Sequence, residues 1–146
     1  MDGTLAELYK VDGWLPMLRN EDPTPYVVAK PKVDMMVLVD LLNELRADGY
    51  TIGIISWLSM GSTKEYNKQV RKAKREWLKK NLSFDFDKIH LVKYGTPKHY
   101  IGDGILVDDN DDVCRRWYKA GGVVINAQSA EWINEFTKLV KKGFCC

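Results

Sequence analysis

Apolar positions along the chain change period several times, and the changes divide it into elements. In "DMMVLVDLLNELRADG" (residues 34–49), Met35, Leu38, Leu41, Leu42 and Leu45 recur at helical spacing, which predicts a helix stopped by Gly49. "YTIGIIS" follows as a short Ile-rich run, read as a buried strand ending at Ser56. "GST" then leads into "KEYNKQVRKAKREWLKKN", where Tyr66, Val70, Ala73 and Trp77 make one apolar seam on a charged helix. "IHLVK" predicts a strand, "YGTPKHYIGDG" a loop and "ILVDD" a strand ending in acids. "DDVCRRWYKAGG" predicts a helix with a glycine stop, "VVIN" a strand, and "SAEWINEFTKLVKKG" a last helix with Ser129 as its N-cap. Residues 5–32 carry Pro16, Pro23, Pro25 and Pro31 and read as irregular.

After that irregular stretch the order is helix, strand, helix, strand, strand, helix, strand, helix. Apolar strands alternating with helices predict an α/β fold with a mainly parallel sheet. A chain of 146 residues predicts a single domain, 1–146, with 5–32 as a small flap over it. In such sheets ligands bind outside the carboxyl ends of the strands, so the chemistry is sought there.

Composition removes partners rather than naming them. The net charge is only +2, so bulk electrostatics single out neither nucleic acid nor membrane. No apolar run approaches the ~20 residues of a membrane span, and no basic-then-apolar leader opens the chain. The three cysteines, Cys114, Cys145 and Cys146, are an odd set with two adjacent at the end, which is no disulfide framework. A reducing, cytoplasmic setting is expected.

Charge is uneven locally. Lys64, Lys68, Arg71, Lys72, Lys74, Arg75, Lys79 and Lys80 crowd one helix. The plain expectation is a solvated outer face; the sharper one is contact with nucleic-acid phosphates, felt as salt-dependent binding.

The strand ends gather candidate chemistry. Ser56 closes one strand, Asp108 to Asp112 close another, and Thr96, Lys98 and His99 lie on the loop between strands. Adjacent carboxylates at a sheet's carboxyl edge repel each other unless a cation joins them. An all-oxygen site with few protein ligands suits Mg²⁺, which keeps several waters and takes other ligands from substrate phosphate. A hydroxyl and a lysine nearby suit phosphate oxygens. Asn110, Asp111 and Asp112 are placed to cap the next helix. His90 and His99 have no second ligand at zinc spacing.

In order, "MDGT", "TIGIIS", Lys98 and "ILVDDNDD" resemble the four motifs of the haloacid dehalogenase superfamily. "ILVDDNDDVCRRWYKAGGVVIN" is similar to its nucleotidase-like phosphatases. The resemblance spans nearly the whole chain. It implies a Rossmann-like, mainly parallel sheet flanked by helices, and a Mg²⁺-dependent phosphomonoester hydrolase acting on a small phosphorylated substrate such as a nucleotide. Carried over, it makes Asp2 the general acid/base, with its carbonyl on the metal. Gly3, Ser56 and the backbone N–H of Trp57 would hold phosphate. Lys98 would offset phosphoryl charge, with Lys93 as runner-up. Asp108 and Asp109 would complete the metal site with Asp2. Tyr9, Trp14 and Tyr26 of the flap would stack a base or pack on the sheet. The rival readings are an end-processing phosphatase on nucleic acid, using the basic helix 64–80, and a non-catalytic binding or interaction module.

The chain departs from the family's pattern at its start. The first motif is an apolar strand, then Asp-x-Asp-Gly-Thr; here Met1 stands at x. The nucleophilic Asp and its strand would lie before Met1. The resemblance places that strand mid-sheet, between the strands ending at Ser56 and Asp108. Without it those neighbours stand roughly 9–10 Å apart. The sequence is expected to be truncated inside the first motif, or else to belong to a protein that closes the gap with its own or a partner's strand. As written it is expected not to turn over.

Overall fold

A computed structural model describes residues 1–142; Cys145 and Cys146 lie outside the described residues. Two short helices come first, α1 (Trp14–Arg19) and α2 (Thr24–Val28). After them come α3 (Met35–Ala47), β1 (Gly53–Trp57), α4 (Lys64–Asn81), β2 (Lys88–Val92), β3 (Ile105–Asp108), α5 (Asp111–Lys119), β4 (Val123–Asn126) and α6 (Trp132–Lys142). From α3 onward the order is the one the apolar pattern predicts.

The irregular reading of 5–32 is corrected by α1 and α2. Their prolines sit in the first helical turn, Pro16 third in α1 and Pro25 second in α2, where a missing N–H breaks no helical bond. Helix starts are set by side chains. Asp34 accepts from the N–H groups of Met36 and Val37, and Thr63 from that of Tyr66. Asn110 accepts from those of Asp112 and Val113. Gly49, at φ 93°, supplies the left-handed residue that ends α3. The last helix begins later than a Ser129 cap would place it. The Ser129 hydroxyl accepts from the Glu131 N–H in a turn upstream of Trp132.

The fold is α/β, and among the described residues both strand pairings are parallel. β1 pairs with β2, Ser56 opposite Leu91; β3 pairs with β4, Asp108 opposite Asn126. α4 makes the crossover in the first pair and α5 in the second. Among the described residues the pairs are not joined into one sheet, so a single sheet is replaced by two short ones.

One apolar layer spans both pairs. Leu38, Leu41, Leu42 and Leu45 of α3 pack with Trp132, Phe136 and Val140 of α6, and Ile54, Ile89, Val107 and Ile125 of the strands reach the same cluster. On the other side, Trp117 and Val113 of α5 pack with Leu106 and are met by Ile55 and Trp57. α4 buries Tyr66, Val70 and Ala73 against Leu8 and Tyr26 of the flap and Leu91 of β2. Between β1 and β3 lies a cavity of about 840 Å³, lined on its sides by Ile54, Ile55, Leu106 and Val107.

Candidate functional site

The carboxyl ends of β1 and β3 are linked through Lys98. Lys98, just after Pro97, is buried and donates to Asp108 Oδ2 at 2.6 Å; its Nζ also lies 5.2 Å from the Trp57 ring centre. The other Asp108 oxygen accepts from the Asn110 N–H at 2.9 Å. Asp108 is thus a buried carboxylate with both oxygens engaged. Lys93, the alternative lysine, is exposed. Cys114 donates from its thiol to the Asp108 carbonyl at 3.4 Å, and burial pushes that thiol up to about 11.

A second lysine lies at the site, and the pattern of charges hid it. Lys74 is 0% exposed, which corrects its place on a solvated face. Its ammonium donates to Asp2 Oδ2 at 2.8 Å, Ser56 Oγ at 2.9 Å and the Trp57 carbonyl at 2.7 Å. All three of its N–H donors are used. The signal was spacing: Lys74 stands four residues after Val70 and three before Trp77, inside the apolar seam.

The opening segment closes the site. The Met1 carbonyl accepts from the N–H groups of Thr4, Leu5 and Ala6, which folds residues 1–6 into a tight turn. Gly3, at φ 75°, lies where a Cβ would overlap the Asp109 carboxylate and press on the Tyr9 ring. Lys32 donates to the Gly3 carbonyl and to the Ala127 carbonyl, each at 2.6 Å, tying the turn to the end of β4. The Thr4 hydroxyl donates to Asp109 Oδ1 at 3.2 Å. The Met1 ammonium sits within reach of Lys98, Asp2, Asp108 and Lys74. Burial, with the two lysines, lowers it to about 6.

The structure therefore brings Asp2, Gly3, Ser56, Trp57, Lys98, Asp108 and Asp109 to one end of the strands. Tyr26 packs in the core, while Tyr9 is exposed at the rim with its ring edge-on to Trp14 at 5.0 Å.

Of the three carboxylates at this end of the strands, Asp109 is the one without a basic side chain beside it among the described residues. Burial raises its carboxyl above the usual range, with Asp108 adding to the rise. A cation there would reverse both effects. Among the described residues no three His, Cys, Asp or Glu side chains converge as a metal-holding group, because Asp2 is turned to Lys74 and Asp108 to Lys98. Compared with protein-family models, with curated proteins and with solved structures, the chain matches none.

Proposed function

We propose that this site belongs to a Mg²⁺-dependent phosphomonoester hydrolase of the haloacid dehalogenase type, acting on a small phosphorylated substrate. The observation that carries the reading is the buried Lys98–Asp108 pair at the carboxyl end of β3, beside the Ser56 and Asp2 that Lys74 holds together. Lys74 occupies the acceptor side of the Ser56 hydroxyl, which leaves the O–H free to donate to a phosphate oxygen. The Trp57 N–H would donate beside it. Lys98 would offset phosphoryl charge, and Asp2, near the reacting oxygen, would give a proton to the leaving group and take one from water. Asp108 and Asp109 would hold Mg²⁺, whose contribution is to neutralise charge on the phosphate.

A second reading, a phosphate-binding module without turnover, is favoured by the same ion pairs, since both acids already have cationic partners. Calorimetry with inorganic phosphate and Mg²⁺ tests what the two readings share. Binding is expected, and Lys98→Met should weaken it roughly 10- to 100-fold, the worth of one charge-assisted hydrogen bond. No binding by the parent chain would end both readings. Turnover of a generic phosphomonoester with Mg²⁺ would favour the hydrolase over the binding module, and Asp2→Asn should then abolish it.

A further inference from the structure

Folding α4 sorts its charges. At roughly 3.6 residues per turn, Lys64, Lys68, Arg71, Lys72, Arg75 and Lys79 fall within about 100° of arc. Glu65 and Glu76, the acids of the helix, fall outside that arc, and Lys74 lies on the buried side. All six cations are exposed. They make a stripe about 22 Å long, with a positive group at every turn. Among the described residues, the stripe's one ion pair is Lys72 with Glu76 at 3.9 Å, both side chains exposed.

Towards its carboxyl end the stripe borders a groove of about 700 Å³. Lys72, Arg75 and Lys79 line it from the stripe, and Leu78, Leu82, Phe84, Phe86 and Ile89 give it an apolar surface. Glu76, Ser83 and Asp85 complete the lining. Phe84 and Phe86 are half-buried and meet edge to face, ring centres 5.0 Å apart. Arg46 of α3 lies over Phe84, 4.1 Å from its ring centre, which holds that ring in place. A ligand that matches both parts carries a row of anions beside flat apolar groups. The stripe also runs about two turns past the groove, to Lys68 and Lys64, so the ligand's charge must continue where its apolar contacts stop. A polynucleotide has a phosphate at every unit, whether or not that unit's base is stacked. An acidic peptide has no such constancy, and a duplex keeps its bases stacked on one another.

We propose that the α4 stripe and the groove beside it bind single-stranded nucleic acid, with phosphates along the cations and bases against Phe84 and Phe86. The net charge of +2 does not oppose this, because sorting the charges makes a local field on a chain that is nearly neutral in sum. None of these side chains belongs to the strand-end site, so the phosphatase reading can fail without touching this surface.

Fluorescence anisotropy tests it, with the full chain and a labelled oligothymidylate of about 20 nucleotides, longer than one such site. Binding is expected at low salt, with a log–log salt slope of about −3 to −4, the value for roughly four to six phosphates neutralised on a single strand. A duplex of equal length should bind at least roughly 5-fold more weakly, for want of free bases. Arg75→Glu with Lys79→Glu should weaken the oligomer at least roughly 10-fold, and the same charge change at Lys141 and Lys142 much less. All four positions are exposed, so each variant should keep the parent's circular dichroism. Phe84→Leu, which keeps an apolar side chain but removes the ring, should weaken binding about 5- to 100-fold at an unchanged salt slope. No binding at low salt, duplex binding as tight or tighter, equal losses from the two charge reversals, or no effect of Phe84→Leu would overturn the proposal. Tighter binding of polyglutamate would give the stripe to an acidic protein segment and overturn it too.

Discussion

At Lys74 a positive charge sits in the interior with every donor used, on Asp2, Ser56 and the Trp57 carbonyl. Its attraction to Asp2 offsets a large desolvation cost, so removing one partner leaves the other badly placed. Lys74→Met should cost about 3 kcal/mol in denaturant unfolding, and adding Asp2→Asn should recover part of it. A Lys74→Met protein within about 0.5 kcal/mol of the parent, the ordinary range of surface changes, would mean the ammonium is not holding the site. Gly3 tests the same region from the backbone. An L residue at its φ of 75° costs roughly 1–2 kcal/mol, and a Cβ would push Asp109 off the Thr4 hydroxyl. Gly3→Ala should therefore lose at least that much stability; a neutral result would mean the turn relaxes freely.

At the scale of elements, α4 shows what a sequence conveys and what it withholds. Its bounds follow from Thr63 before it and the seam of Tyr66, Val70, Ala73 and Trp77. Lys74 was lost because a lysine among lysines reads as solvated, although its register puts it between Val70 and Trp77. The flap helices were masked by their prolines, which break helices only beyond the first turn. A loop carboxylate ties three elements together. Asp87 Oδ2 accepts from the Ile52 N–H at 2.8 Å and pairs with Arg46 of α3 at 3.2 Å, joining α3 to the starts of β1 and β2. The Ile52 N–H, then Arg46, hold its carboxyl below the ordinary 3.8. With the native value depressed, the stability it adds is fully present above 3.8 and is lost as pH falls through the lower native value. Asp87→Asn should flatten this acid limb of an unfolding-versus-pH curve. An unchanged limb would assign the acid sensitivity to other groups.

At the scale of the whole molecule, apolar runs identify strands but not their neighbours, since a run buried on both faces looks the same beside any partner. That is why the α/β class and the parallel pairings were legible from residues 34–142, whereas the division into two pairs was not. Where the strands stop was legible for a related reason: the same runs fix their ends, so Asp108 closes β3 and Ser56 falls one residue before the end of β1. Two apolar layers link the pairs: Trp117 and Leu106 meet Ile55 and Trp57 on one side, and the α3–α6 layer touches Ile54 and Ile89 of one pair and Val107 and Ile125 of the other. Phe136 is buried in that layer and also borders the space between the pairs. Truncating a buried Phe costs about 3–5 kcal/mol, and here the loss falls on one of the contacts that couple the halves. Phe136→Ala should therefore do more than lower the melting temperature. In native-state exchange the amides of Val124 and Ile125 should open ahead of those of Ile54 and Ile89, where in the parent chain the two sets open together. If the variant loses stability while both sets still exchange at one common rate, the coupling runs through the Trp117 layer or the strand-end ion pairs instead, and Lys98→Met would tell the two apart.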